Sequence, residues 1–256
     1  MKQTGERPIK GSTPGALVAL HDAGYREVVA RLGRGVVVDI GCGVGDETGR
    51  LTGPGRVVVG IDYDWESAHA ASAHGVQTTC ADGAVLPLRG GAAQVVCSSH
   101  IIEHFVDPTD HVSEMARITA DDGAALIITP NAPADFENPF HVHLFTSQSL
   151  NDMLGRHFEE VKVWGLDGDE EVRADFAARR RTGARLLALD VFGLRHRLPR
   201  GMYVGLHSFG RRLVYPFTNR REQGKPQITS DRFSIVERID DDTLVLFAVA
   251  QKPIRR

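Results

Sequence analysis

The run Asp39-Ile40-Gly41-Cys42-Gly43-Val44-Gly45 places an acid and three glycines within seven residues. Closely spaced glycines let the backbone turn sharply and let a ligand approach main-chain N–H groups with no Cβ in the way. The spacing discriminates among ligands. A dinucleotide fingerprint, G-x-G-x-x-G, puts its third glycine at position 46 when counted from Gly41. Position 46 is Asp46, and the third glycine is Gly45. An acid there repels a pyrophosphate, so the loop suits a cofactor without phosphates better than NAD. Two more acids stand at comparable places. Asp62, in Gly60-Ile61-Asp62-Tyr63-Asp64, can accept hydrogen bonds from both hydroxyls of a ribose. Its competing role is to cap the next helix, which Asp64 fits equally well. Asp82-Gly83 can meet an adenine amino group and ring nitrogens. Three acids at three successive strand ends, with glycines at the first, imply an adenosine-type ligand.

The elements that must position these residues are legible in the hydrophobic pattern. Val36 to Ile40, Val57 to Ile61, Ala93 to Cys97 and Ala124 to Ile128 are short, mostly apolar runs rich in β-branched residues, the mark of strands buried on both faces. Helical segments lie between them, at Trp65 to Ala73 and Asp110 to Ile118, the latter with Asp107 as cap and Pro108 at the first position. Pro14 to Leu32 reads as an earlier helix behind a loose N-terminal arm, with Thr13-Pro14 as its cap and first position. Two later strands are expected at Glu160 to Trp164 and Thr243 to Ala250. Strands alternating with helices require parallel pairing and right-handed crossovers. The expected fold is therefore α/β, a three-layer sandwich around a mostly parallel seven-stranded sheet, with a helical insertion before the last strand. In such sheets a ligand lies beyond the carboxyl ends of the strands.

With these residues in order, DIGCGVG, GIDYD, CADGAVLPL, SSHIIEHFVDP and GAALIITPN, the chain resembles class I S-adenosylmethionine-dependent methyltransferases. The likeness is to the branch that includes ubiquinone-biosynthesis and sugar- or lipid-modifying enzymes. It covers roughly Val36 to Gly165 and the last strand. The resemblance implies S-adenosylmethionine as cofactor, with Asp39, Gly41, Cys42 and Gly43 around its methionine part. It implies Asp62 at the ribose with Tyr63 beside the adenine, Asp82 and Gly83 at the adenine amino group, and Ser98 to His100 lining the cavity. An N-terminal helix often closes the cofactor in this family. Here that helix carries His21, Tyr25 and Arg26, with Arg26 a candidate for the cofactor carboxylate.

On the acceptor side, a hydroxyl needs a base, and histidine suits that role because its unperturbed pKa of about 6.5 leaves much of it neutral near pH 7. His100, His104, His141 and His143 are the candidates, with His141 first and His100 second as base. Glu103-His104 matches the family's Glu-His pair, which can hold the loop rather than react. No metal is expected, and Asp240-Asp241-Asp242 reads as a turn.

Length and composition bound the rest. The 256 residues, 42% hydrophobic with a formal charge of −3, describe a soluble globular chain and exclude a disordered or membrane-spanning one. Three widely spaced cysteines make neither a disulfide framework nor a zinc site. No secretory signal is recognisable, so a cytoplasmic setting is the expectation. The modest net charge hides an asymmetry. From Arg173 to Arg221 there are twelve arginines, no lysine and two aspartates, a net +10 over 49 residues that leaves −13 for the remainder. The expected organisation is a core with its cap helix over 1–172, a basic helical insertion over 173–221 and a return to the core over 222–256. Leu187, Val191, Leu194 and Leu198 share one helical face of the insertion, and Met202, Leu206, Phe209 and Leu213 another. That insertion can pack on the acidic core, clasp a phosphate or carboxylate, lie on an anionic membrane, or bind RNA. The favoured function is O-methylation of a saccharide, glycolipid or related small acceptor. The alternatives are an RNA methyltransferase, an NAD-dependent reductase and a non-catalytic cofactor-binding protein.

Overall fold

The computed structural model describes residues 13–135, 141–188 (side chains through 182) and 227–255. Five helices and eight strands follow in chain order: α1 (Gly15–Val29), β1 (Gly35–Ile40), β2 (Arg56–Asp62), α2 (Trp65–Ala71), β3 (Gln77–Cys80), β4 (Ala93–Ser99), α3 (Thr109–Ile118), β5 (Thr119–Pro130), α4 (Ser147–Leu154), β6 (Phe158–Gly168), α5 (Glu170–Ala188), β7 (Phe233–Val236) and β8 (Val245–Pro253). The strands form one sheet in the order β3-β2-β1-β4-β5-β8-β6-β7. β1 to β5 pair in parallel, while β8 runs antiparallel between β5 and β6.

Period-2 alternation sends consecutive strand residues to opposite layers. Val37, Val95, Cys97, Leu126 and Ile128 face one layer, packing with Leu20 and Val28 of α1 and with Val172 and Phe176 of α5. Val38, Val96, Ala125 and Ile127 face the other, with Val112 and Met115 of α3 and Leu150 and Leu154 of α4. This is the expected three-layer α/β sandwich. It has eight strands rather than seven. The added β7 pairs antiparallel with Gly165–Gly168 of β6 and buries Phe233 against Phe176, ring centroids 6.3 Å apart. Four residues with one fully buried side chain give too short a pattern to recognise in sequence.

Local signals fared well, with shifted boundaries. Asp64 caps α2 by accepting from the Ser67 N–H, which releases Asp62 from that role. At α3 the expectation shifts by one residue: Pro108 is the cap rather than the first helical position, and Asp107, just before it, accepts from the Thr109 N–H at 3.0 Å. At α1 the expectation needs correction: Pro14 itself is the cap, no side chain bonds there, and the helix ends at Val29. Behind the glycine loop stands only a single 3-10 turn, Thr48–Leu51, because Gly49 and the Gly53-Pro54 pair leave no room for a longer helix.

The arginine-rich stretch begins inside α5. Val172 and Phe176 are buried in the core; Arg173 and Arg180 meet acids of the core, whereas Arg179 pairs within α5. Arg173 pairs with Asp167 and, at 3.3 Å, with Asp240; Arg180 pairs with Asp242 at 2.7 Å; Arg179 pairs with Asp175 at 2.5 Å. The second half of the expected helical hairpin, including Pro199-Arg200-Gly201, lies outside the described residues, as do the N-terminal arm over 1–12 and residues 136–140.

One buried group ties α1, β1 and the glycine loop together. Asp39 has no exposure and accepts from the Tyr25 hydroxyl at 3.1 Å and the Thr48 hydroxyl at 2.5 Å. Burial pushes its carboxyl up to about 6, against the opposing hydrogen bonds of Thr48 and Tyr25. A carboxyl raised in the folded state holds its proton more tightly there than in the unfolded chain. Its share of stability is therefore full below the unfolded value and is lost as pH rises from 3.8 through about 6. The loss is on the order of 3 kcal/mol. Urea unfolding between pH 4 and 7 should show this decline in the wild type and a flatter profile in Asp39→Asn. Tyr25→Phe should destabilise the protein by about 1–2 kcal/mol at pH 7.

Candidate functional site

The carboxyl ends of β1, β2, β3 and β4 open onto one rim, and the sequence-predicted residues collect there. The glycine loop leaves β1 with Gly41 at φ +79° and Gly43 at φ +54°. A Cβ on Gly41 would lie 2.1 Å from Ile101, whereas a Cβ on Gly43 would meet nothing within 4 Å. The first glycine is thus required by packing, and the second faces open space where a ligand can approach the main chain. The loop is pinned to β2, because the Gly41 and Cys42 N–H groups donate to Ile61 O at 2.7 and 3.0 Å.

Asp62 sits at the end of β2 and is largely buried. One carboxylate oxygen accepts from the Gly43 N–H and the other from the Asp64 N–H, both at 2.9 Å. Each oxygen carries a further lone pair, so the carboxylate retains the capacity for a pair of ribose hydroxyls. Tyr63, next in the chain, is 64% exposed on the same rim. Asp82 is exposed beyond β3, with one oxygen on the Ala84 N–H at 2.9 Å. The open face at Gly43, the oriented Asp62 and the flat face of Tyr63 fit the adenosine half of S-adenosylmethionine.

Three expected contacts lie elsewhere. Arg26 is not placed for a cofactor carboxylate, since its guanidinium donates to Ser230 O at 2.5 Å and Phe233 O at 2.7 Å and anchors the chain leading into β7. Ser98 does not line a cavity. It is fully buried, and its hydroxyl meets His111 Nε2 at 2.9 Å, while His111 Nδ1 reaches Gly83 O at 2.9 Å. Burial holds His111 near pKa 4, so this neutral ring is a rigid strut between β4 and the loop after β3. Asp39 faces α1 rather than open space. His111 was missed by sequence reasoning, though its place beside Val112 and Met115 on the apolar face of α3 signals a buried histidine.

The acceptor-side histidines do converge. Glu103, in the turn Ile102–His104 after β4, has no exposure. Its Oε2 accepts from the Thr129 hydroxyl at 3.0 Å, and its main-chain oxygen accepts from the Val142 and His143 N–H groups. Around Oε1 stand His100 Nδ1 at 3.4 Å and His141 Nε2 at 4.0 Å. Burial raises the Glu103 carboxyl, but His100, His104 and His141 outweigh it and hold it below the usual range. His141 Nδ1 lies 2.9 Å from the Asp135 carboxylate, a partner that sequence spacing did not single out. Burial lowers the His141 pKa, yet Asp135 and Glu103 together raise it above its ordinary 6.5. His21 of α1 lies against His100, ring centroids 4.1 Å apart, and burial keeps its pKa well below 6.5. His143 stands apart, over Phe145 at 4.6 Å. Donor atoms of Glu103, His104 and His141 all lie within 4.8 Å of one another, a set able to hold a divalent cation, although none was expected.

Comparison with known proteins agrees with this geometry. Residues 38–127 match the family model for a methyltransferase domain. A probable S-adenosylmethionine-dependent methyltransferase of Mycolicibacterium smegmatis is 30% identical over 160 residues, 59% of this chain and 62% of that protein. The chain thus spans less than two thirds of that relative's length. Among solved structures, a Thermotoga maritima S-adenosylmethionine-dependent methyltransferase, described as a possible histamine N-methyltransferase, superposes with a TM-score of 0.60 at 16% identity, covering 93% of this chain and 91% of that one. The [4+2]-cyclase SpnF superposes at 0.58 and 15% identity, covering 91% and 82%. At such identities the superpositions speak for the fold alone. The family match displaces the nicotinamide alternative, in accord with Asp46 at the place where that fingerprint needs glycine. Residues 38–127 of this chain match a methyltransferase domain, and the chain is similar in sequence to S-adenosylmethionine-dependent methyltransferases.

Proposed function

We propose that this chain transfers a methyl group from S-adenosylmethionine to a hydroxyl oxygen of a saccharide, glycolipid or related small acceptor. The observation that carries the reading is the Asp135–His141 pair, placed beside the rim on which the glycine loop and Asp62 stand. When bound, the cofactor supplies a methyl carried on a sulfonium, whose thioether is its own leaving group. The protein's work is then to hold the acceptor in line and to receive its proton. In-line positioning can contribute on the order of 7–11 kcal/mol, and a base a further factor of about 10²–10⁴. A proton on His141 Nδ1, facing the Asp135 carboxylate, leaves the Nε2 lone pair to take the hydroxyl proton.

An amphipathic acceptor is supported by the rim itself. Among the described residues eight large hydrophobic side chains are exposed, and six of them follow the carboxyl ends of β2 to β5: Tyr63, Val85, Val106, Val142 and Leu144 on loops and Trp65 at the first residue of α2. A glycolipid or lipid-linked saccharide would place its apolar part there. RNA finds less support, because Arg173, Arg179 and Arg180 already pair with acids of this chain. Among the described residues no helix is long and apolar enough to cross a membrane.

Asp62→Ala should weaken S-adenosylhomocysteine binding at least tenfold, consistent with loss of a charge-assisted hydrogen bond, and erase most of its thermal shift. NAD should produce no shift; stabilisation by NAD and not by S-adenosylhomocysteine would sink the reading. His141→Ala should lose methyl transfer by about 10²–10⁴ while keeping cofactor binding. Because Asp135 and Glu103 raise the His141 pKa, the acid limb of kcat/KM should lie above pH 6.5. Asp135→Asn should move that limb downward.

A further inference from the structure

Among the described residues, the buried side-chain polar atoms that find no hydrogen-bond partner are Ser99 Oγ, His100 Nε2 and Glu103 Oε1. All three belong to one five-residue run at the carboxyl end of β4. Orphaned buried polar groups are costly, on the order of 1–3 kcal/mol each, so three together mark a place built to meet something polar. His100 adds a second sign. It holds φ +55°, a left-handed backbone that a non-glycine residue adopts at a cost, and its N–H is fixed on Ile128 O at 2.8 Å. That strained backbone sets the imidazole between His21 and Glu103.

Apart from the Ser99 hydroxyl, which can donate or accept, the chemistry of the cluster is one-sided. Glu103, a carboxylate, can only accept. With its Nδ1 proton toward Glu103 Oε1, His100 presents Nε2 as an acceptor. His141, oriented in the same sense by Asp135, presents a second imidazole acceptor near the same Glu103 oxygen. A ligand matching this set must bring more than one donor. We infer that the acceptor presents two vicinal hydroxyls, one aligned for transfer at His141 and its neighbour donating to His100, which makes His100 the residue that selects a diol. This rests on the proposed role of His141 and specifies the acceptor of that same site.

The test uses the full chain saturated with S-adenosylhomocysteine, its histidine imidazoles followed by NMR during titration with cis- and trans-cyclohexane-1,2-diol and with cyclohexanol. One diol isomer should bind about tenfold tighter than cyclohexanol, the effect of one good hydrogen bond, and should shift the His100 and His141 signals. His100→Asn should reduce that isomer to the affinity of cyclohexanol, since asparagine tolerates the left-handed backbone but falls short of the imidazole's reach. Glu103→Gln, which leaves the backbone untouched, should weaken the preference as well. Equal affinity for diol and mono-alcohol in the wild type, or a preference that survives His100→Asn, overturns the inference. So does a preference that requires added Mg²⁺ and disappears with EDTA, which would assign the cluster to a cation. The thermal shift by S-adenosylhomocysteine separates the two levels. Its loss would remove the methyltransferase reading, whereas its retention without diol preference removes the diol alone.

Discussion

A carboxylate taken wholly out of water must be matched by donors or positive charge, and Glu103 imposes that requirement on the acceptor half of the molecule. One oxygen is satisfied by Thr129 from β5, and the main-chain oxygen gathers the Val142 and His143 N–H groups. The segment that returns from β5 is thereby stitched to the turn after β4, which delivers His141 to within 4.0 Å of the other oxygen. His100 arrives from the strand side and His21 from the cap helix. Remove the charge and the three elements lose the reason to meet. Asp39 plays the parallel part in the cofactor half, where Tyr25 and Thr48 join α1 and the glycine loop to β1. Two buried acids, each near a sheet end, therefore fix the two sides of the site.

The halves differ in how their groups are satisfied. On the cofactor side the polar groups already have partners within the chain: Gly41 and Cys42 on Ile61, Gly43 on Asp62, Ser98 on His111. Such a lattice holds its shape before a ligand arrives, which limits the ordering cost of binding. On the acceptor side the orphaned atoms of Ser99, His100 and Glu103 crowd into one turn.

How far the sequence could be read follows from the range of the interactions. Parallel strands buried on both faces announce themselves through β-branched runs, and the glycine spacing with Asp62 and Asp82 is local enough to survive as a motif. Asp64 acts within three residues as a cap and was equally legible. The failures are contacts that no spacing encodes. Arg26 is committed to carbonyls more than two hundred residues away, at Ser230 and Phe233. Ser98 looks like a cavity residue until the alternation of β4 turns it toward α3. Asp135 precedes His141 by six residues, and their pairing depends on how the flanking residues are held, at the Asn131–Phe145 bridge. The short β7 exists because β6 offers an edge, not because its own four residues insist on a strand.

The charge asymmetry also changes meaning once the chain is folded. An arginine-rich stretch of net +10 reads in isolation as a surface for anions, but Arg173 and Arg180 meet core acids and Arg179 pairs with Asp175 of the same helix. The Arg180–Asp242 pair, with an exposed carboxylate, contributes little stability, since water screens it. Its consequence is positional. Arg180 reaches both Asp242, before β8, and Pro133 O, two residues from Asp135, so α5 is tethered to the same loop that orients His141.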